Sequence, residues 1–330
     1  METKLRKTSF WLLICSSLLL TVRLPAVTAA PEPEVIYGED GRLDLYQIEN
    51  PRLMQLADST VALFEAANVE PDPSGQKALL KTSHYGQSMN LCLKEPFYDQ
   101  PMGAFCSGSL VGPDLVMTAG HCVRSQEACA GAKFVFGFGV SKAGIYPAAV
   151  PAEEVYGCAQ LVARQEEYSG ADWALVRLER KVPNHAPLKL NRTGKLEKDA
   201  KIFVIGHPAG LPTKVAGGAT VRDPSPKGYF VANLDTYGGN SGSAVFNAAN
   251  GRVEGILVRG ETDYEQEGDC RVSKVCPDGG CRGEDVTKIS ALASQIPPLQ
   301  SPAKPRTQKP ATLPSPGRLA ETVDSIQLQW

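Results

Sequence analysis

The sequence has no excess of charge of either sign: its 330 residues carry 34 lysines and arginines against 36 aspartates and glutamates. A protein without a positive field has little means of concentrating a phosphate backbone at its surface. Nucleic acid is therefore excluded as the main partner. Hydrophobic residues make up 42% of the chain, which is enough to fill a core and argues against global disorder.

Beyond its N-terminus the sequence also lacks any apolar run long enough to span a bilayer. The one long apolar run, residues 10–22, follows a basic stretch and precedes the small residues 26–30. This order is typical of a secretory signal peptide, which we assign to residues 1–29. Cys15 lies inside the apolar run with no small residue before it, so a lipid anchor is not expected. We expect a secreted or periplasmic protein without a membrane span.

The sequence lacks the Cys-x2-Cys pairs of zinc modules, although it contains nine cysteines. Eight of them lie beyond the signal peptide, and an even number in an oxidising compartment favours disulfides. Cys106 and Cys122 lie on the two sides of a predicted hairpin and are expected to form a bridge. A Cys129–Cys158 bridge is a weaker prediction. The remaining four cysteines, Cys92, Cys270, Cys276 and Cys281, would share two further bridges. A metal site built from Cys270, Cys276 and Cys281 is the alternative.

Helical periodicity is nearly absent between Ser59 and Gly260, where short apolar runs alternate with turn residues. This alternation is typical of antiparallel sheets that close into sandwiches or barrels, and it predicts an all-β domain over residues 59–296. One apolar stripe has helical spacing and predicts a short C-terminal helix over about 286–296. The stripe consists of Ile289, Leu292, Ala293 and Ile296.

Polar segments flank the predicted domain on both sides. Residues 30–58 have little periodicity and are either a removable pro-segment or an N-terminal arm that lies on the fold. Residues 297–330 begin with a stretch that is rich in proline, and such a stretch has too little apolar area to offset its ordering entropy. We predict an extended tail there.

The first candidate catalytic residue is His121, in the segment Thr118-Ala119-Gly120-His121-Cys122 at the end of an apolar strand. A histidine can take a proton from a nucleophile because imidazole titrates near neutral pH. The small residues before it would leave the imidazole facing an open cleft. Taken alone, the segment is also compatible with a structural histidine in a strand-end loop.

The second candidate is Ser241, in the segment Gly238-Gly239-Asn240-Ser241-Gly242-Ser243. Glycines on both sides of a serine permit a tight turn that exposes the hydroxyl. The N–H groups of Gly239 and Ser241 would then point at one spot and stabilise an oxyanion, which is a large contribution to acyl transfer. The alternative is an ordinary glycine-rich turn.

The third candidate is Asp172, at the start of the apolar strand Asp172-Trp173-Ala174-Leu175-Val176. A buried carboxylate that accepts a hydrogen bond from His121 would select the tautomer of the imidazole and stabilise its protonated form. An aspartate before a strand is otherwise a common turn residue.

Taken together, the three segments follow the order His121, Asp172, Ser241, and they resemble the chymotrypsin-like serine peptidases, especially the bacterial branch similar to the V8 glutamyl endopeptidases. The resemblance covers roughly residues 59–258 and extends weakly back to Val35. It implies two six-stranded antiparallel β-barrels, divided near residue 190, with the active site between them. It also implies that Ser241 with the oxyanion hole comes from the second barrel.

The sequence departs from this family at the positions that determine specificity. Asn240 replaces the acid that precedes the serine in the animal digestive enzymes, as it does in the V8-like branch. Leu257 stands where that branch has its glutamate-selecting histidine, which argues against glutamate preference. Asp235 occupies the family's pocket-floor position and predicts cleavage after lysine or arginine, unless Arg259, on the strand that walls the pocket, neutralises it.

The resulting hypothesis is an exported serine endopeptidase with protein or peptide substrates, no metal or other cofactor, and a monomeric state. Two alternatives use the same fold. One is a catalytically inactive binding or adhesion protein, although all three triad residues are present in the sequence. The other is an esterase, which would share the chemistry and differ in its cleft.

Overall fold

The structure is a computed structural model that describes residues 35–299. The predicted signal peptide and the tail from residue 300 onward lie outside the described residues. Within residues 35–299, no helix is both long enough and apolar enough to cross a membrane.

The first half of the domain is a closed antiparallel barrel of six strands. Along a strand, the side chains alternate between the interior of this barrel and the core between the two barrels. On the strand Asp172–Leu178, Ala174 and Val176 point inward, whereas Trp173 and Leu175 join the core between the barrels. This is the period of two that a β-strand imposes. In spatial order the strands are Ala132–Val135, Val155–Glu166, Asp172–Leu178, Leu115–Thr118, Cys106–Leu110 and Thr60–Glu65, and the last pairs with the first.

The second half is also a closed antiparallel barrel of six strands, with a seventh strand added at its edge. In spatial order the six are Lys201–Gly206, Ala244–Asn247, Val253–Arg259, Glu284–Lys288, Tyr229–Ala232 and Lys214–Asp223, and the last pairs with the first. The prediction of an all-β fold with two six-stranded barrels is therefore confirmed. The core between the barrels includes Leu115 and Leu175 from the first barrel and Phe203, Phe246 and Ile256 from the second.

The seventh strand, Arg42–Asp44, belongs to the N-terminal segment and pairs with Lys214–Asp223. The helix that follows it, Pro51–Ala57, begins at Asn50, whose side chain accepts hydrogen bonds from the backbone of Arg52 and Leu53. In the described part of this segment, Arg42–Asp44 therefore extends the second barrel. We call residues 35–48 the N-terminal arm below.

Several shorter elements complete the fold. The remaining strands are Ile36–Tyr37, Val69–Pro71, Lys77–Leu80, Ser83–His84, Pro101–Met102, Ala149–Pro151, Tyr264–Glu267, Cys270–Ser273 and Val275–Cys276. The other α-helices are Tyr85–Ser88 and Gln126–Ala130. The 3-10 helices are Leu45–Gln47, Ala66–Asn68, Ala152–Glu154, Pro208–Gly210, Ile289–Ala291 and Ala293–Gln295.

The helix predicted over 286–296 is wrong in its extent. Residues 284–288 form a barrel strand, and only two short 3-10 helices, Ile289–Ala291 and Ala293–Gln295, follow it. The backbone of residues 284–288 pairs with strands on both sides, which is incompatible with helical hydrogen bonds. The apolar stripe is nevertheless buried, because it packs into the core between the barrels.

Four disulfides join the eight cysteines of the described residues. They include the expected Cys106–Cys122 and Cys129–Cys158 bridges. The other four cysteines form Cys92–Cys270 and Cys276–Cys281. This pairing removes the metal site considered for the last three, because a disulfide sulfur has no thiolate to offer a metal.

Candidate active site

His121 lies just beyond the first-barrel strand Leu115–Thr118, in a turn that needs a glycine before it. A Cβ at Gly120 would lie 2.3 Å from the carbonyl oxygen of Gln165 and 2.7 Å from Oδ1 of Asp172. Because Gly120 has none, its N–H approaches Asp172 directly and donates a hydrogen bond of 2.6 Å to Oδ1. The His121 ring follows immediately and is only partly buried.

Asp172 begins the neighbouring strand and binds His121 through both of its oxygens. Oδ1 accepts the backbone N–H of His121 at 3.1 Å, and Oδ2 lies 2.6 Å from the ring nitrogen Nδ1. Since a carboxylate only accepts, the Nδ1–H of His121 donates to it, which leaves Nε2 as the basic nitrogen. Asp172 is 3% exposed, so these bonds are shielded from water.

Ser241 lies between the second-barrel strands Tyr229–Ala232 and Ala244–Asn247, in a tight turn. The turn is closed by hydrogen bonds from the N–H of Asn240 to the carbonyl oxygen of Tyr237 and from the N–H of Ser243 to that of Asn240, at 2.9 and 2.8 Å. Gly239 and Gly242 adopt φ angles of +99° and +93°, which favour glycine. The Gly242 N–H then donates to the carbonyl oxygen of Leu257.

The N–H groups expected to form the oxyanion hole are available. Among residues 35–299, neither the Gly239 nor the Ser241 N–H donates to a protein acceptor, whereas the intervening Asn240 N–H is used within the turn. Two unengaged donors in one tight turn are available to stabilise a negatively charged oxygen.

The serine loop and His121 come from different barrels and meet through Ser107. The Ser107 N–H donates to the carbonyl oxygen of Ser241, and its hydroxyl donates to that of Gly239, both at 2.8 Å. Sγ of Cys122, the residue after His121, lies 3.6 Å from the same Ser241 oxygen. No hydrogen bond between the Ser241 hydroxyl and His121 is formed among the described residues. Catalytic hydrogen bonds of this kind commonly tighten only when substrate binds.

The only group of metal-type ligands within the described part of the chain also lies here, and it consists of Cys106, His121 and Cys122. Its two sulfurs are bonded to each other. These three residues lie close together because the Cys106–Cys122 bridge holds the His121 turn. Disulfide sulfurs are not thiolates, so the group is not a ligand set for a metal.

Part of the sequence matches a known family model. Residues 106–256, which span all three candidate catalytic residues, match the trypsin-like peptidase domain. This part of the chain is similar to the trypsin-like peptidases. The resemblance expected from the three motifs is thus confirmed.

The comparisons with other proteins add two solved structures. A Glu endopeptidase solved in complex with MPD is 15% identical, with 79% of this chain and 97% of that chain covered and a TM-score of 0.46. The VesB protease of Vibrio cholerae is 16% identical, with 80% and 67% covered and a TM-score of 0.44. A search of the curated proteins finds no significant match.

Two of the three residues predicted to shape the specificity pocket, Asp235 and Leu257, are buried. Asp235 is buried, and its two oxygens accept the backbone N–H groups of Tyr37 and Gly41 from the N-terminal arm, at 2.8 and 2.7 Å. Burial raises the pKa of Asp235 to about 8. Leu257 is fully buried in the interior of the second barrel.

Arg259 does not neutralise Asp235. Its guanidinium binds Asp285 at 3.1 Å and the carbonyl oxygens of Glu167 and Gly170, which lie in the loop before Asp172. Arg259 therefore supports the loop that leads to Asp172.

Two positioning residues escaped the sequence analysis, Ser107 and Thr287. The Thr287 hydroxyl accepts the N–H of Asp172 and donates to its carbonyl oxygen, both at 2.9 Å, and so ties the second barrel to the start of the Asp172 strand. No sequence signal identifies either residue, because both act across contacts between distant segments. Thr287 lies 115 residues from Asp172.

Proposed function

We propose that this protein is an exported serine endopeptidase whose catalytic triad is His121, Asp172 and Ser241. Ser241 Oγ attacks the carbonyl carbon of a peptide bond while Nε2 of His121 takes its proton. His121 then gives that proton to the departing amine, which leaves an acyl-enzyme. A water molecule, deprotonated in turn by His121, releases the acid and restores the Ser241 hydroxyl.

Asp172 and the loop backbone stabilise the charges that develop in this sequence. Asp172 accepts the Nδ1–H of His121 and so favours the imidazolium that forms during each proton transfer. The N–H groups of Gly239 and Ser241 bind the oxyanion of the tetrahedral intermediate. No metal or organic cofactor is required for any step.

One observation carries the proposal. The hydrogen bond of 2.6 Å between His121 Nδ1 and Asp172 Oδ2 orients the imidazole, and the same peptidase-like region contains the Ser241 turn with its two unengaged N–H groups. Export is supported by the signal-peptide pattern of residues 1–29 and by four disulfides.

The test is hydrolysis of a peptide library by the wild type and by Ser241→Ala and His121→Ala. Members of a triad act as a unit, so each variant is expected to lose at least about 10⁴-fold in kcat/KM while its circular dichroism stays unchanged. Near-wild-type turnover by either folded variant would refute the assignment.

The same experiment separates the two alternatives. A binding or adhesion protein would neither cleave peptides nor react at Ser241 with an organophosphorus reagent. An esterase would react with the reagent but hydrolyse esters without cleaving the corresponding amides.

A preference for lysine or arginine before the scissile bond remains part of the proposal, but Asp235 no longer supports it. Both Asp235 oxygens are engaged by the N-terminal arm. If the preference exists, another acidic residue must produce it.

A further inference from the structure

A cavity of about 790 Å³ is lined by the N-terminal arm, the loop of residues 93–100 and Tyr146. We call it the arm cavity. Three of its lining side chains are large, apolar or aromatic, and exposed: Tyr46 is 45% exposed, Tyr146 39% and Leu93 83%. Concave sites with exposed aromatic groups are typical of ligand binding. The aromatic residues of the lining are Tyr46, Phe97, Tyr98 and Tyr146.

The inner wall of the arm cavity is a buried ionic network. Phe97 lies beneath two cations, with the guanidinium of Arg42 at 5.3 Å and Nζ of Lys214 at 4.7 Å from its ring centre. Asp44 binds Lys214 and the side-chain amide of Gln100, both at 2.7 Å. Because these groups hold one another, the wall is formed without a ligand, and binding there requires little ordering.

One polar group of this wall has no partner. Arg42 is 1% exposed, and its Nε and Nη2 donate to Asp40 at 2.8 and 2.6 Å. Its Nη1 is buried without a hydrogen-bond partner within residues 35–299. A buried donor without an acceptor is costly, and the carbonyl oxygen of a bound peptide would relieve that cost. The arm cavity therefore suits a peptide ligand.

The outer part of the arm cavity is negative. Three of its acids form no ion pair with a lysine or arginine in the described part of the chain, and they are Glu39, Glu95 and Asp99. Asp99 lies 3.5 Å from the ring of His84, and Glu95 accepts the N–H of Ser273. Burial and the charge of nearby acids, Asp99 first among them, raise the pKa of Tyr146. Acids beside tyrosine faces favour a cationic ligand.

The sequence contains a segment of matching chemistry, residues 302–318, which lie outside the described residues. This segment carries four cations, no acid and five prolines. Pro302 and Pro305 have the spacing Pro-x-x-Pro, and Arg306 follows directly. Segments of this composition bind to aromatic-lined grooves, where the rings pack against the prolines. The four cations are Lys304, Arg306, Lys309 and Arg318.

The length of the chain allows this contact. The described residues end at Leu299, and an extended proline-rich chain rises about 3.1 Å per residue. Nineteen residues, from 300 to 318, therefore reach about 60 Å. A compact domain of about 265 residues has a diameter of roughly 45–50 Å.

We propose that residues 302–318 bind in the arm cavity of their own chain, with prolines against the tyrosine rings and cations at Glu39, Glu95 and Asp99. A carbonyl oxygen of the segment accepts the N–H of Arg42 Nη1. Because the segment is tethered, its effective concentration is in the millimolar range, so a modest intrinsic affinity is sufficient. The proposal goes beyond the proposed function, since it involves neither the triad nor a substrate.

The first test exchanges charges in the full-length protein. The tail variant is Lys304→Glu/Arg306→Glu/Lys309→Glu/Arg318→Glu, and the cavity variant is Glu39→Lys/Asp99→Lys, at two exposed positions. Each should release the segment and raise the hydrogen-exchange rate of residues 93–100 by at least about fivefold. The combined variant restores opposite charges and should recover most of the protection.

The matched control is Glu70→Lys/Glu127→Lys, which reverses two exposed acids outside the arm cavity. It should leave the exchange rate unchanged and should not rescue the tail variant. Unchanged exchange in the tail variant, or no recovery in the combined variant, would overturn the proposal. Protection that increases with protein concentration would also overturn it, because the segment would then come from a second copy.

The second test measures binding directly. A synthetic peptide of residues 302–318 is titrated calorimetrically into the tail variant, whose own segment no longer competes. The peptide should bind, and the same peptide with alanine at its five prolines should bind at least about tenfold more weakly. Adding Glu39→Lys/Asp99→Lys to the protein should weaken binding by at least about tenfold.

Absence of peptide binding would contradict the proposal. Equal binding by the alanine peptide would do so as well, since it would show charge attraction without recognition of the prolines. Neither test measures hydrolysis. A protein that passes both but cleaves no peptide would therefore refute the proposed function and leave the arm cavity assigned.

Discussion

At the scale of single residues, Thr287 has no part in the proposed chemistry, yet its hydroxyl engages both backbone polar groups of Asp172. Thr287→Val keeps the shape of the side chain and leaves these buried groups without a partner. We expect the free energy of unfolding to fall by about 1–3 kcal/mol, and kcat to fall by about tenfold because Asp172 and His121 shift.

The measurement is denaturant unfolding together with steady-state kinetics. Thr287→Ser is the matched control, since it retains the hydroxyl and should keep most of the activity. Wild-type kcat in Thr287→Val would show that Asp172 is held by the first barrel alone.

At the scale of elements, the strands Cys106–Leu110 and Leu115–Thr118 form a hairpin that the Cys106–Cys122 bridge closes just after His121. A bridge stabilises by constraining the unfolded chain, by about 3 kcal/mol for a loop of this length. The double variant Cys106→Ala/Cys122→Ala should lose about that much stability, and also kcat, because the His121 turn is no longer held.

The control for this prediction is Cys129→Ala/Cys158→Ala, which opens a bridge on the helix Gln126–Ala130 instead of at the His121 turn. It should lose stability but keep kcat at temperatures well below its Tm. Equal losses of kcat in both double variants would mean that the Cys106–Cys122 bridge has no specific role in positioning His121.

At the scale of the whole molecule, acid stability depends on His207. Its Nδ1 lies 2.9 Å from the carbonyl oxygen of Leu211, and burial lowers its pKa to about 4. A histidine in an unfolded chain has a pKa of about 6.5. Between about pH 4 and about pH 6.5, therefore, His207 binds a proton in the unfolded chain but not in the folded protein. The free energy of unfolding should therefore decrease as the pH falls from about 6.5 to about 4, by about 3 kcal/mol for this group.

The variant His207→Asn retains a donor for Leu211 but has no titrating ring. Denaturant unfolding between pH 4 and 7.5 should show the wild type losing stability relative to the variant as the pH falls. Burial raises the pKa of Asp235 to about 8, so the folded protein retains this proton and Asp235 adds stability as the pH falls. This contribution is the same in the wild type and in the variant. Parallel curves would contradict the role of His207.

The local parts of this architecture could be predicted from the sequence. The strands follow from alternating apolar residues bounded by turn residues, and the glycines around Ser241 and before His121 mark turns that other residues cannot adopt. The motif order then indicated the family. The α-helix predicted over 286–296 is absent, because two consecutive 3-10 helices after a strand bury the same apolar positions. These positions are Ile289, Leu292, Ala293 and Ile296.

The long-range parts could not be predicted. Asp235 was assigned to a pocket by its distance from Ser241, but backbone groups of Tyr37 and Gly41 occupy its oxygens. Nothing in the local sequence of Asp235 reveals that arm. The same holds for Thr287, whose contact with Asp172 joins segments that lie 115 residues apart.

The N-terminal arm has a consequence for the timing of folding. Arg42–Asp44 pairs with residues 214–216, Asp235 receives the N–H groups of Tyr37 and Gly41, and Cys92 is joined to a cysteine 178 residues away. Contacts between such distant segments raise the contact order and slow folding. The second barrel, which holds Ser241, can close only after Glu284–Lys288 has been synthesised, because that strand pairs with strands on both sides. A nascent chain should therefore hold no assembled nucleophile while it is still being made.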